Sequence, residues 1–200
     1  MHPQILMLVE YTTDTDRWDP WQHEYRFGVL LLFPPGPLRA IVNVLRRQHD
    51  PRSQAYCDAH ISLPVPDVSP ATPERWAELE AVASEIEPFE ITYGPLKHYL
   101  PHPGVCLAVE PFDAIDALRV AFEAVPPFSE APARRYPFSP HMTIAEFITA
   151  DQTESLMREL SPVAPSGRFL CREVAYAVPD ESFRFEERGR LELGARPPAS

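Results

Sequence analysis

The chain has 200 residues, a length that fits one domain or two small lobes sharing a core. Its 29 acidic and 18 basic side chains give a net charge of -11, which argues against a protein that coats long nucleic acid with clustered basic residues. Hydrophobic residues make up 44% of the chain, and its 25 prolines and 7 glycines stay below the share typical of disorder, so we expect a folded protein with a sizeable core.

Four elements are predicted in the first half of the chain, in the order strand, helix, strand, helix. Their predicted bounds are residues 28–33, 38–47, 56–63 and 73–86. The first is a continuous apolar run ended by Pro34 and Pro35, which is typical of a buried strand. The last follows Thr72, a good N-cap residue, with Pro73 in the first helical position. The predicted apolar face of the first helix consists of Leu38, Ile41, Val42 and Leu45.

The same order of elements recurs in the second half, after a strand-like segment at residues 89–99. The recurring elements are an apolar strand at 104–109, a helix at 113–125, a His-containing strand at 138–144 and a helix at 151–160. The predicted apolar face of the first of these helices consists of Ile115, Leu118, Phe122 and Val125. Two final strands, at 168–178 and 183–193, are predicted around a turn at Pro179.

The recurrence indicates an internal duplication of a strand-helix-strand-helix unit. Two similar units pack most simply about a pseudo-twofold axis with equivalent strands facing each other. We therefore predict an α+β fold with a single bilobal domain over residues 1–195. Its predicted parts are a first lobe at about 25–100, a second lobe at about 104–165 and terminal strands at about 168–193, followed by a disordered tail at 196–200.

Each predicted unit contains one tetrapeptide in which His and Ser or Thr alternate with apolar residues. The two motifs are His60-Ile61-Ser62-Leu63 and His141-Met142-Thr143-Ile144. On a strand, successive side chains point to opposite faces, so the imidazole and the hydroxyl of each motif share one face while the apolar residues enter the core. Two imidazoles suit a reaction that needs a base and an acid at neutral pH, and the hydroxyls can donate hydrogen bonds to an anion. Phosphodiester cleavage needs this set of groups.

In these motifs the chain resembles the 2H phosphoesterases, which include bacterial 2′-5′ RNA ligase and 2′,3′-cyclic nucleotide phosphodiesterases. The signature of that family is two His-x-Ser/Thr-x motifs, and residues 138–144 resemble the second motif in its wider form. The resemblance implies a bilobal 2H phosphoesterase-like fold with mainly antiparallel sheets facing a central cleft. It also implies metal-independent hydrolysis or transesterification at 2′-linked or cyclic phosphates.

We therefore predict a phosphoric diester hydrolase that acts on small 2′,3′-cyclic or 2′-5′-linked nucleotides, on related cyclic phosphates or on an RNA end. His60 and His141 are the candidate acid and base, in an order that the sequence leaves open, and Ser62 and Thr143 are the candidate phosphate ligands. No cofactor is expected. Glu146 stands in the segment after the second motif, where the ligase branch often carries a basic residue, so ligase activity is not part of the prediction.

Four further residues are candidates for substrate contacts. Arg135 and Tyr136, just before the second motif, would supply a cation and a stacking ring. Lys97 and Tyr99 alternate on the strand-like segment and would share the face toward the cleft. The alternative for the Arg135-Tyr136 pair is a solvated surface loop.

The cysteines and the remaining histidines give no sign of a metal or disulfide site. Cys57, Cys106 and Cys171 are odd in number and far apart, which indicates reduced thiols and a cytoplasmic protein. His98 and His102 are four residues apart, but a proline between them breaks the helix that a metal-binding pair would need. No stretch approaches the length of a membrane span, so we expect no membrane association. We also expect a monomer.

Two other hypotheses stay open from the sequence. The same cleft would hold a nucleotide or phosphorylated metabolite without turnover if the protein were a binding module. An unrelated α+β interaction protein with fortuitous motifs would keep the two motifs far apart in space.

Overall fold

The computed structural model describes residues 9–63, 66–126, 128–131 and 136–195, so the predicted tail at 196–200 lies outside the described residues. The α-helices are α1 (Gly36–His49), α2 (Pro51–Tyr56), α3 (Pro73–Ser84), α4 (Phe112–Glu123) and α5 (Ala150–Leu160). The strands are β1 (Val29–Leu32), β2 (Ile61–Ser62), β3 (Phe89–His98), β4 (Val105–Glu110), β5 (His141–Ala145), β6 (Gly167–Cys171), β7 (Glu173–Pro179) and β8 (Phe185–Glu192). Within the described ranges, no helix combines the length and apolar character needed to cross a bilayer.

The first sheet has the strand order β2-β1-β7-β8, and every pair in it is antiparallel. All four residues of β1 are buried, as the continuous apolar run predicts for a strand covered on both faces. β7 is buried along almost its whole length, so the two inner strands form the centre of this sheet.

The second sheet has the strand order β5-β4-β3-β6, again with antiparallel pairs throughout. β4 begins with three buried residues, Val105, Cys106 and Leu107. The β-bulge between Tyr93 and Leu96 interrupts the β3–β4 ladder at the Gly94-Pro95 position where the sequence pattern is interrupted.

The two sheets are built in the same way. In each, a buried strand pairs on one side with a motif-bearing strand and on the other side with a strand from the other half of the chain. β1 therefore corresponds to β4, β2 to β5, β7 to β3 and β8 to β6. The predicted α+β fold with two similar units is confirmed.

The units exchange strands, which the sequence prediction did not include. Residues 89–98 are predicted in the first lobe, whereas β3 pairs with β4 and β6 in the second sheet. The single strand predicted at 168–178 is also wrong, because the chain changes sheets at Arg172 between β6 and β7. Most residues of β6 are exposed or half-buried, as suits a sheet edge, whereas the apolar β7 needs cover on both faces.

The segment before the first motif is largely helical, which corrects the strand predicted at 56–63. α2 ends at Tyr56, and β2 contains only Ile61 and Ser62. Asp50 caps α2 by accepting a hydrogen bond from the Ser53 backbone N–H at 3.1 Å, and Pro51 occupies the first turn. As a result, His60 lies just before the strand rather than within it.

The first helix buries a different face from the predicted one. Leu38 and Val42 are buried as expected, but Ile41 is 52% exposed. Asn43 and Arg46 are buried in its place. The helix is turned so that these two polar side chains reach backbone groups of the motif segments, which a count of apolar positions cannot detect.

The other three helices of the repeated units, α3, α4 and α5, form at the predicted places. The predicted face of α4 is buried at Ile115, Leu118 and Phe122. Thr72 caps α3 by accepting a hydrogen bond from the Arg75 backbone N–H at 3.3 Å.

Candidate active site

The alternation of both motifs is present in the structure. The apolar residues of the two motifs are fully buried, namely Ile61, Leu63, Met142 and Ile144. Ser62 is exposed, and His60, His141 and Thr143 are half-buried. The period of two thus turns each imidazole and hydroxyl away from the core.

The two motif strands lie at equivalent places and touch each other. β2 pairs with β1 so that Ser62 lies opposite Leu31, and β5 pairs with β4 so that Thr143 lies opposite Cys106. β2 and β5 are in contact across the two sheets. The fold therefore brings the motifs together, although 81 positions separate His60 from His141 in the sequence numbering.

The two histidines make the same local hydrogen bond. Nδ1 of His60 lies 2.7 Å from the carbonyl oxygen of Asp58, and Nδ1 of His141 lies 2.6 Å from that of Ser139. A carbonyl oxygen only accepts, so Nδ1 carries the hydrogen in both rings. The lone pair of a neutral ring is then on Nε2, which makes Nε2 the atom that accepts a proton.

The surroundings of both histidines favour the neutral ring. Burial lowers the pKa of His60 to about 4, and the positive charge of Arg46 and that of a protonated His141 act in the same direction. Burial also lowers the pKa of His141, assisted by the charge of Lys97 and opposed by the hydrogen bond to Ser139. Both rings are therefore ready to act as bases at neutral pH in the absence of a ligand.

A cleft with a volume of about 870 Å³ opens beside the motifs. The predicted site residues on its wall are Ser62, Lys97, Tyr99, Tyr136 and His141. The cleft is not lined by His60 or Thr143. The segment before β1 also contributes to the wall, through His23, Glu24, Tyr25 and Phe27. The sequence prediction assigned none of these four residues to the site.

Lys97 and Tyr99 both lie next to the second motif. The Lys97 ammonium donates hydrogen bonds to the Ser139 hydroxyl and the Pro140 carbonyl, each at 3.3 Å. The Tyr99 ring meets the His141 ring edge-on, with the ring centroids 4.9 Å apart. Burial raises the pKa of the Tyr99 hydroxyl, so the phenol stays protonated and can act as a hydrogen-bond donor.

The wall continues beyond Tyr99 with two more rings. His102 lies 6.3 Å from Tyr99 and 5.3 Å from Tyr136 between ring centroids. Tyr136 is 51% exposed, as suits a ring available for stacking. Arg135, predicted beside it, lies outside the described residues.

The described residues hold no arrangement of three or more His, Cys, Asp or Glu side chains suited to a metal ion. His98 and His102 have separate surroundings. Nε2 of His98 lies 3.0 Å from a carboxylate oxygen of Glu154 on α5, whereas His102 belongs to the aromatic wall.

A buried arginine behind the motifs was also missed by the sequence prediction. Arg46 on α1 donates a hydrogen bond to the Thr143 carbonyl at 2.8 Å and another to the Cys57 carbonyl at 3.0 Å. The Asp50-Pro51 pair, which starts α2, is a local pattern from which this helix next to Arg46 could have been predicted.

The chain matches a known family profile. The profile described as "2'-5' RNA ligase superfamily" matches residues 34–182, which include both motifs. No curated protein matches the sequence significantly.

Several solved structures share the fold. The structure of LigT from Escherichia coli in apo form has a TM-score of 0.55 and 16% identity, over 82% of this chain and 95% of that chain. LigT complexed with 3'-AMP has a TM-score of 0.55 and 17% identity, over 82% and 96%. A Thermus thermophilus protein has a TM-score of 0.52 and 14% identity, over 83% and 97%.

Proposed function

Because the chain belongs to the 2'-5' RNA ligase superfamily, we propose that it is a metal-independent phosphodiesterase of the 2H type. Its proposed substrates are small 2′,3′-cyclic or 2′-5′-linked nucleotides, related cyclic phosphates or an RNA end. The observation that carries the proposal is the matched pair of histidines, each with Nδ1 bound to the carbonyl two residues earlier and Nε2 left as the proton-transfer atom.

In the proposed hydrolysis, water attacks phosphorus and the bond from phosphorus to one ribose oxygen breaks. One of His60 and His141 accepts the proton of the water through Nε2. The other, protonated on Nε2, gives its proton to the leaving ribose oxygen. A 2′,3′-cyclic nucleotide gives one product, a nucleoside monophosphate that keeps the leaving oxygen as a hydroxyl, whereas a 2′-5′ linkage also releases a second product that carries this hydroxyl. In both cases the two histidines have exchanged their protonation states.

Ser62 and Thr143 are the proposed ligands of the nonbridging phosphate oxygens. Each shares the strand face of its motif histidine, and Ser62 is exposed on the cleft wall. Lys97 provides a positive charge near His141, which favours binding of an anion. The charge of the bound phosphate would in turn raise the pKa of a neighbouring histidine and supply the acid.

We propose a small substrate because of the volume of the cleft and the net charge of -11 of the protein. A cleft of about 870 Å³ is in the range of small-molecule sites. LigT has been crystallised with 3'-AMP, ATP, NADP+ and phosphate, which are small nucleotides and a small anion. A monomer acting in the cytoplasm, with Arg135 and Tyr136 at the substrate, completes the proposal.

The test is hydrolysis of 2′,3′-cyclic nucleotides in the presence of a metal chelator. We expect His60→Ala and His141→Ala each to lower kcat/KM by about 10²–10⁴-fold, the contribution of a general acid or base. His49→Ala is the matched control, since His49 lies at the end of α1 and outside the motifs, and it should keep the wild-type rate. Wild-type rates in both motif variants would refute the assignment.

One observation favours a second candidate, a binding module that holds a nucleotide without turnover. Burial lowers the pKa of both histidines, and a pair of neutral rings lacks the acid that the reaction needs. Calorimetry with the same nucleotides separates the candidates. A module would bind the ligand and release it intact after long incubation, whereas the phosphodiesterase would yield the monophosphate.

A further inference from the structure

The buried face of α1 carries a charged side chain that reaches both motifs. Arg46 is 1% exposed. Its Nη1 donates a hydrogen bond to the Thr143 carbonyl of β5 at 2.8 Å. Its Nη2 donates to the carbonyls of Ser53 and Cys57, each at 3.0 Å, and to the Ser53 hydroxyl at 2.7 Å. One rigid guanidinium thus binds the strand of the second motif and the segment that leads to the first.

In the segment leading to His60, the Asp58 carboxylate accepts hydrogen bonds from Gln54 at 3.2 Å and Arg184 at 3.1 Å. β2 contains only two residues, so no ladder of strand hydrogen bonds holds the chain between α2 and Ile61. Side chains of α1 bind the backbone of this segment instead. Besides the Arg46 bond to Cys57, the Asn43 side-chain oxygen accepts a hydrogen bond from the Ala59 backbone N–H at 2.8 Å. The backbone just before the first histidine is therefore held by a helix.

The end of β5 is bound by Asp50 and Ser53, which lie where α1 is followed by α2. The Ser53 hydroxyl donates to the Glu146 carboxylate at 2.9 Å. One carboxylate oxygen of Asp50 accepts hydrogen bonds from the backbone N–H groups of Glu146 and Phe147, at 2.8 and 3.0 Å. Together with the Arg46 bond to Thr143, these contacts tie the second unit to the α1–α2 corner of the first.

We propose that Arg46 is a positioning residue that sets the separation and orientation of His60 and His141 by holding both motif segments. We call this group of contacts the clamp, and its members are Arg46, Asp50, Ser53 and Glu146. The inference rests on the proposed function in assigning the two histidines to catalysis. A buried charge is costly unless it is compensated. The two Nη atoms of Arg46 bind four acceptors, and the nearby charge of Glu146 raises the pKa of the guanidinium, whereas the buried Nε has no partner among the described residues.

The charge of Arg46 has a second effect, on the protonation of His60. The charged groups that face this ring are Arg46 from α1 and His141 from β5, which lower its pKa, and Asp58 from its own segment, which raises it. Burial is the largest cause of the lowered pKa. Removing the arginine charge should therefore raise the pKa of His60, whereas a lysine should keep it low.

The test uses Arg46→Met and Arg46→Lys, with Arg47→Met on the exposed side of the same helix as the control. Kinetics on a 2′,3′-cyclic nucleotide should show kcat reduced by about 10²-fold in Arg46→Met with KM changed little, because a small misplacement of catalytic groups affects the reaction more than binding. Arg46→Lys should restore only part of kcat, since an ammonium lacks the planar fork that serves acceptors in both segments. Arg47→Met should match the wild type.

Histidine NMR titration provides a readout that needs no substrate. We expect the His60 titration to move to higher pH in Arg46→Met, and to stay near the wild-type position in Arg46→Lys and Arg47→Met. If wild-type protein is inactive on cyclic nucleotides but the titration moves as expected, the proposed function fails and the role of Arg46 in the surroundings of His60 stands. An unchanged titration together with an unchanged kcat in folded Arg46→Met overturns the inference.

Ser53→Ala gives a milder version of the test if Arg46→Met does not fold. It removes one acceptor of Arg46 and the donor to Glu146 while leaving the arginine charge in place. We expect kcat to fall by about 10-fold with an unchanged His60 titration, because geometry alone is disturbed. Wild-type kcat in Ser53→Ala would contradict the clamp.

Discussion

Two histidine side chains make the same hydrogen bond at equivalent places in two sheets. In both, Nδ1 is bound to the carbonyl of the residue two positions earlier, Asp58 for His60 and Ser139 for His141. The strand period predicts which face each ring occupies, because alternation is a local property of extended backbone. It does not predict the tautomer, which depends on the direction of a carbonyl in the irregular segment before each strand.

The three cysteines allow a prediction at the residue scale. Cys57, Cys106 and Cys171 are all buried, and burial raises the pKa of each thiol to about 12. Since the thiolate is the nucleophile, we expect the native protein to react very slowly with a thiol reagent at pH about 8. Protein unfolded in urea should react rapidly with three equivalents of the thiol reagent per chain. Fast labelling of the native protein, even of Cys106 at the cleft, would contradict the burial of these groups.

At the scale of elements, α1 shows where an apolar pattern fails. Ile41 fits the predicted stripe but is exposed, whereas Asn43 and Arg46 are buried. A prediction from hydrophobic periodicity places polar residues on the solvent-exposed face of a helix. Here their side chains satisfy backbone groups of the motif segments, so burial is stabilised by hydrogen bonds rather than by apolar area.

Gly104 supports a prediction about the turn from β3 to β4. Its φ of +151° is rarely adopted by other residues, and an added Cβ would lie 2.6 Å from the Ala145 carbonyl oxygen. We expect Gly104→Ala to lower the free energy of unfolding by about 1–3 kcal/mol, measured by urea denaturation.

The matched control for this glycine is Gly36→Ala at the start of α1, where an added Cβ meets nothing within 4 Å. Its stability should stay within about 1 kcal/mol of the wild type, with any change in the stabilising direction. Equal stabilities of Gly104→Ala and Gly36→Ala would argue against the close approach of Gly104 to β5.

For the whole molecule, the exchange of strands joins the two units. β3 follows the first unit but pairs in the second sheet, and β7 follows the second unit but pairs in the first. The second sheet is built from the contiguous residues 89–171, whereas the first sheet combines β1 and β2 from before that stretch with β7 and β8 from after it. This arrangement supports the single bilobal domain that we propose over residues 1–195, and it makes independent folding of the halves unfavourable.

The net charge of -11 leads to a prediction about salt. A singly charged cyclic nucleotide is repelled by the protein as a whole, and added salt screens that repulsion. We therefore expect kcat/KM to rise, by up to about two-fold, between about 0.02 and 0.15 M NaCl. Repeating the series with potassium glutamate controls for specific chloride effects. A ten-fold fall would instead indicate release of counterions from a basic surface and contradict the small-substrate proposal.

The sequence by itself determined the buried strands, the repeated order of elements and the faces of the two motifs. These properties depend on residues a few positions apart, through the strand period and through proline and capping residues. Only the tertiary structure decided the sheet partners of β3 and β7, the contact between the two motif strands and the burial of Arg46. The bond from Arg46 to the Thr143 carbonyl spans 97 positions, and no local pattern records contacts between segments so far apart.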